Sequence, residues 1–380
     1  MKSVHLLVVA GTALIACCYG FARFAYGLFA PVFTETFGLN RTLTGVIGAG
    51  SYLGYCAAIV ASLILTDRIG ARKVAVAAGV VATVGISTVA AAPSAWWLAV
   101  GVLVAGCSTG IASPPLAAAV AQYVPAPKVD RAQTVVNGGT GIGVLVSAPI
   151  ALLLFDQWRA AWISYALICV AVTTLVLLAV PASTHHYTPA AVEQRWRPGT
   201  FGLVCASLLM GLGSAAVWTF GRDLITSVGG ADATQSTLMW VVLGASGIAG
   251  ALAGDVVQRI GLAKAWVAAS VTMASATVLL AAAPADVWAT IASATLFGAA
   301  YIASTGLVLL WSARLYPDST SFGVGLAFFT IAAGQAMGAP LVGALIDNFG
   351  TLRAFVAMAV TGLLAITVSP RSGLSTPCRR

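Results

Sequence analysis

The sequence predicts an all-α membrane protein, with twelve transmembrane helices arranged as two pseudo-symmetric six-helix bundles. Three observations carry that prediction. Of the 380 residues, 59% are hydrophobic and 8% charged, with a mean hydropathy of +0.96, whereas soluble domains carry about a quarter charged residues. The apolar residues fall into twelve runs, each near the roughly 20 residues a helix needs to cross a hydrocarbon core about 30 Å thick. The second half also repeats rare residues of the first at a constant offset of 191 positions.

In lipid, backbone groups are satisfied within their own segment or in a closed barrel, so each run reads as a helix. The first, 5–33, follows Lys2. Its Leu14-Ile15-Ala16-Cys17 stretch imitates a lipoprotein cleavage box, but apolar sequence continues to Phe33, so it is expected to be the first span. Spans at 43–66, 74–92, 95–123, 133–155 and 161–181 complete the N-terminal bundle, 1–181. A linker, 182–199, carries His185, His186, Glu193, Arg195 and Arg197 and reads as a solvated tether, not a catalytic pair. The C-terminal bundle, 200–370, holds spans at 200–222, 233–254, 265–283, 288–313, 322–346 and 353–370, followed by a tail at 371–380.

The repeat supports the two-bundle division. Gly20 answers Gly211, Gly38 answers Gly229, Arg68-Ile69-Gly70 answers Arg259-Ile260-Gly261, and Lys73 answers Lys264. Pro93 pairs with Pro284, Trp97 with Trp288, Ser113 with Ser304, Gly143 with Gly334, Ala148-Pro149 with Ala339-Pro340, and Asp156 with Asp347. Alanine matches would be cheap in so Ala-rich a chain; Pro, Trp, Lys and Asp matches are not. Placing both termini in the cytoplasm puts fourteen basic residues inside and four outside, which obeys the positive-inside rule. The net charge of +8 is therefore explained by topology in a cell membrane, since the bases form no extended face for nucleic acid.

Asp67-Arg68-Ile69-Gly70-Ala71-Arg72-Lys73 joins the second and third spans, with a glycine for a tight turn and charges at facing helix ends. It resembles the D-R-x-G-R-K signature of the major facilitator superfamily, with Leu63 where the family has a Gly and Ala71 where it has an Arg. Asp255 through Arg259-Ile260-Gly261 and Lys264 reads as its degraded second copy. The run Tyr19 to Pro31, YGFARFAYGLFAP, is similar to the start of the YbfB/YjiJ-type branch. Gly139, Gly143, Ala148 and Pro149 in the fifth span, and Gly334, Gly338, Ala339, Pro340 and Gly343 in the eleventh, look like a loose form of the family's Gly-Pro motif and suit close packing. The resemblance implies a transporter in which Asp67, Arg68, Gly70, Arg72, Lys73, Asp255 and Arg259 help to gate one side. It also implies a central cavity lined by spans 1, 4, 7 and 10. The Arg that many proton-coupled members carry in span 4 is Val102 here, which argues against proton antiport by that route.

Arg23 is the one charged side chain deep inside a span. An isolated Arg at the bilayer centre costs roughly 2.5–3.5 kcal/mol on insertion scales, so it needs a cavity or a partner. On an α-helix Tyr19, Arg23, Tyr26 and Ala30 share a face, relieved by Gly20 and Gly27, while Phe24 and Leu28 point towards packing or lipid. All eleven acids lie at or near span ends, so an uncompensated Arg favours an anionic solute. Substrate contacts are expected from Arg23, Tyr19, Tyr26, Asn137, Trp218 and Tyr301. Ser113 before a break at Pro114-Pro115, together with Thr219, Ser304, Thr305 and Gln335, is a further polar candidate. A structural clamp onto a neighbouring helix is the competing role for Arg23, and Arg222-Asp223 is expected to form a local or gate pair.

The expectation is a monomeric secondary transporter moving a small organic anion by alternating access, with protons or a counter-substrate as coupling partner. The alternative is an exporter of drug-like or amphipathic metabolites with Arg23 structural. No cofactor, metal site or enzymatic constellation is expected, and the seven cysteines read as small apolar residues.

Overall fold

A computed structural model describes residues 2–125, 128–154, 157–182, 196–317 and 320–370, without the side chains of Lys2, Ser3, Asp67, Asp130, Thr320 and Ser321. Twelve helices in it are long and apolar enough to cross a membrane. They are α1 Val4–Phe37, α2 Arg41–Thr66, α3 Ala71–Ala90, α4 Ala95–Tyr123, α5 Arg131–Leu153 and α6 Trp158–Ala179, then α7 Thr200–Val228, α8 Ala233–Ile260, α9 Leu262–Ala282, α10 Val287–Leu315, α11 Phe322–Phe349 and α12 Thr351–Val368. Each overlaps one of the expected spans, although α3, α5, α6, α9 and α12 stop one or two residues short of the expected end. The largest departures are the far ends of α7 and α8, which run six residues past 222 and 254 to 228 and 260. Those turns carry Asp223, Thr226, Ser227, Asp255, Gln258 and Arg259, whose polarity ends the apolar signal although the helix continues.

Packing repeats between the halves. In the first half α4 packs on α2 and α3, α3 on α6, and α1 on α5; in the second α10 packs on α8 and α9, α9 on α12, and α7 on α11. Lipid offers helices little hydrophobic reason to associate, so backbones come together over small residues. A Cβ at Gly20 would overlap the backbone of Gly143, and one at Gly211 would overlap the carbonyl of Ile331. The halves meet where α2 runs along α11 and α5 along α8, with the end of α1 against α7.

The turns obey the repeat as well. Gly70 and Gly261 have φ/ψ of 86°/153° and 82°/158°, a region open essentially to glycine alone. On the opposite side Gly38 is left-handed at φ 62°, and its counterpart by conformation is Gly230 at φ 69°, one residue past the expected Gly229. Several helices depart from regular α geometry, α7 with a π-helical end at Leu224–Val228 among them, and two departures from expectation bear on α1 and α4. α1 is a π-helix over Ala16–Phe24, and α4 runs unbroken through Pro114 and Pro115 where a break was expected. Pro115 deprives the Ile111 carbonyl of its helical donor, and Ser62 Oγ from α2 donates to that oxygen at 3.0 Å.

Candidate functional site

The π-helical stretch decides what α1 presents. Its wider turn keeps Tyr19 and Arg23 together but rotates the residues beyond them, and such bulges recur at functional sites. Tyr26 is therefore turned off the expected face, and its hydroxyl donates to the Thr44 carbonyl at 2.7 Å. Phe24, expected to face packing or lipid, packs: it stacks on Trp218 of α7 with ring centroids 3.8 Å apart.

A cavity between the halves is lined by Tyr19 and Arg23 of α1, Tyr55 of α2, Asn137 and Thr140 of α5, Tyr301, Ile302 and Thr305 of α10, and Phe328 and Ile331 of α11. In this state its interior has room for about one water molecule, and its non-atom space of about 300 Å³ includes open solvent. Four expected residues, Arg23, Tyr19, Asn137 and Tyr301, thus share one space. Trp218 lies behind the wall, edge-on to Tyr301 at 5.0 Å. Tyr19 Oη and Ser113 Oγ are 2.8 Å apart, which brings α4 to the rim, and the Asn137 amide donates to Thr305 Oγ1 at 3.3 Å across the halves. Ser304 Oγ is buried with no hydrogen-bond partner.

Arg23 is 5% exposed and sits among four rings, its guanidinium carbon 4.7 Å from the Tyr52 centroid, 4.9 Å from Phe24, 5.1 Å from Tyr55 and 5.6 Å from Tyr19. Each such contact is worth about 0.5–2 kcal/mol, the upper end when desolvated, which offsets much of the insertion cost. Its Nη2 donates to Gln335 Oε1 of α11, and its Nε is buried with no partner. The Gln335 amide nitrogen in turn donates to Ser214 Oγ at 3.1 Å and Tyr301 Oη at 3.2 Å. Among the described residues, the one ion pair is elsewhere, between Arg41 and Asp223.

Tyr52, Tyr55, Thr140 and Phe328 were not anticipated, because spans 2, 5 and 11 fall outside the set 1, 4, 7 and 10. The available signal was the pair of phenols at i, i+3 on α2. Gln335 was noticed only as a buried polar group.

The expected local pair Arg222-Asp223 is not formed. Arg222 donates to the Leu28 carbonyl of α1 and, at 3.1 Å, to Ser236 Oγ. Asp223 instead accepts from Arg41 Nε at 3.0 Å, and Asp347 accepts from the Thr42 backbone N–H at 3.0 Å. These bonds tie the halves together on the Gly38 side. On the Gly70 side, Arg72 Nε donates to the Val180 carbonyl at the end of α6, a base meeting a helix C-terminus. Arg68, Lys73, Asp255 and Arg259 lie exposed, and the Asp67 side chain is outside the described residues. Arg197, expected to be solvated, donates to the Leu315 carbonyl at 3.1 Å and packs on Tyr316. His185, His186, Glu193 and Arg195 lie outside the described residues.

Twelve apolar helices in two packed halves with a cavity between them, taken with the family match that follows, make this a multi-pass membrane transporter of small solutes and not an enzyme. The chain belongs to the family described as the uncharacterised MFS-type transporter YbfB, whose profile matches residues 15–369. It is 28% identical over 346 residues to the transcription regulatory protein OpdE of Pseudomonas aeruginosa, covering 85% of this chain and 84% of OpdE. It is 23% identical to the purine ribonucleoside efflux pump NepI of Salmonella typhimurium, covering 89% of this chain and 86% of NepI. Among solved structures, a mutant of the nucleoside transporter NupG superposes with a TM-score of 0.74 at 11% identity, covering 95% of this chain and 98% of that one. The human organic anion transporter MFSD10 does so with a TM-score of 0.73 at 15% identity, covering 97% and 99%. At those identities the structural likeness speaks for the fold.

Proposed function

We propose that this protein moves a small organic anion by alternating access of two bundles, 1–181 and 200–370, joined by the linker 182–199 and followed by a tail at 371–380. The observation that carries the reading is Arg23: a cation buried near the middle of α1, facing a cavity between the halves, with no carboxylate bonded to it among the described residues. In a low-dielectric site such a charge attracts an anion far more strongly than it would in water. Tyr19, Asn137 and Tyr301 supply the rest of the contact surface. Tyr26 and Trp218 support the wall.

With both termini in the cytoplasm of an inner-membrane protein, the bonds from Arg41, Thr42 and Arg222 close the outer side. The Gly70 turn and Arg72 then belong to the cytoplasmic gate. Glu35, Asp67, Asp223 and the substrate itself are the available proton carriers, or coupling is by exchange.

Counterflow in proteoliposomes tests this, using labelled monocarboxylates, phosphate and nucleosides. Wild type is expected to exchange an anion, and Arg23→Ala to lose at least tenfold in rate. Retention by Arg23→Lys marks a point charge, and loss marks the planar fork. Unchanged anion exchange by Arg23→Ala ends the proposal. The names of NepI and NupG favour a second reading, efflux of a neutral nucleoside between the Tyr19, Tyr55 and Tyr301 rings with Arg23 structural; nucleoside exchange insensitive to Arg23→Lys would select it. The name of OpdE favours a regulatory role, which absence of exchange for the whole panel would bring forward.

A further inference from the structure

We propose that Gln335 is a built-in stand-in for the substrate's carboxylate, the group that a monoanionic organic acid displaces from Arg23; this rests on the reading of Arg23 as the anion anchor. The N–H groups of Nε and Nη2 point the same way from one edge of a guanidinium, spaced for the two oxygens of a carboxylate. Gln335 Oε1 takes Nη2, and Nε stays buried without a partner. An amide has one acceptor atom, so it can fill only half of that fork. A carboxylate fills both halves and brings the charge that the site lacks.

The stand-in is held ready. Gln335 is fully buried, and its amide nitrogen is fixed by Ser214 of α7 and Tyr301 of α10, which aims the oxygen at Arg23. Displacement leaves those two bonds available to the amide, so Gln335 gives way without becoming an orphan. One cation calls for one negative charge, which selects a monocarboxylate over a phosphate dianion, and Tyr55, Tyr301 and Phe328 flank the space an organic body would fill. Arg23 and Gln335 lie on different halves. Filling the site therefore also cuts a bond across their interface, and substrate arrival is coupled to loosening of the halves.

The test uses purified full-length protein and equilibrium binding of labelled acetate, lactate, benzoate and inorganic phosphate. Gln335→Leu removes the competitor at the fork and is expected to tighten the best monocarboxylate threefold or more. Gln335→Met, which keeps the length without the amide, carries the same expectation if the Leu variant folds poorly. Gln335→Glu fills the fork from within, and is expected to weaken that binding at least tenfold while raising the Tm of the empty protein. A Gln335 that only scaffolds the cavity gives the opposite sign, weaker binding in Gln335→Leu and Gln335→Met. That result, with Arg23→Ala still abolishing binding, overturns this assignment alone. Phosphate binding more tightly than every monocarboxylate overturns the substrate class. If no anion binds wild type, or Arg23→Ala binds it unchanged, the anchor reading fails and this assignment falls with it.

Discussion

Ser62 shows how one side chain answers for another residue's backbone. Pro115 removes the donor that the Ile111 carbonyl would use, and Ser62 Oγ replaces it at 3.0 Å. Leaving a buried acceptor unpaired costs about 1–3 kcal/mol, so Ser62→Ala is expected to lower stability by that amount in detergent thermal unfolding. In a Pro115→Ala background, which restores the helical N–H, the same change should cost under about 0.5 kcal/mol; an equal cost in both backgrounds rejects the compensation. Arg23 follows the same logic. Its cost announced it in the sequence, and Tyr19 was legible beside it at i−4. Gln335, 312 positions away, was not, because nothing local to α11 says which buried group it will meet.

At the scale of elements, the turns distinguish kinds of glycine. Gly38 is left-handed, at φ 62° and ψ 39°, a conformation Asn tolerates. Gly70, at 86° and 153°, is not open to Asn. Gly38→Asn is therefore expected to shift stability by less than about 0.5 kcal/mol, and Gly70→Asn to cost about 1–3 kcal/mol, measured as Tm of the purified protein. Similar losses at both positions would show that the turns are not held as described. Apolar length found each helix, but not the π-helical stretch of α1. The expected shared face of Tyr19, Arg23 and Tyr26 assumed a 3.6-residue turn, and the wider turn moved Tyr26 away to Thr44.

At the scale of the whole molecule, crossing bonds concentrate on the Gly38 side. Arg41 and Asp223 are partly exposed, so their pair adds little to stability, but each belongs to a different half. Asp223→Asn is expected to release that side, seen as a longer, broader distance distribution between spin labels at Thr36 and Val228. The exchange Arg41→Asp with Asp223→Arg should restore the shorter distance. A distribution indifferent to both changes would remove the pair from the gate.

The sequence by itself determined the twelve spans, the doubled six-helix plan and Arg23 as the costly buried charge. Apolar length, repeat offset and insertion cost are properties of single segments, so they can be read without neighbours. Only the tertiary structure decided that Tyr55 of α2 and Phe328 of α11 line the cavity, that Asp223 pairs with Arg41 in place of Arg222, and that Gln335 half-fills the fork of Arg23. Those outcomes depend on how small residues let particular helices approach and rotate against each other, and a buried polar group takes whichever partner that packing delivers.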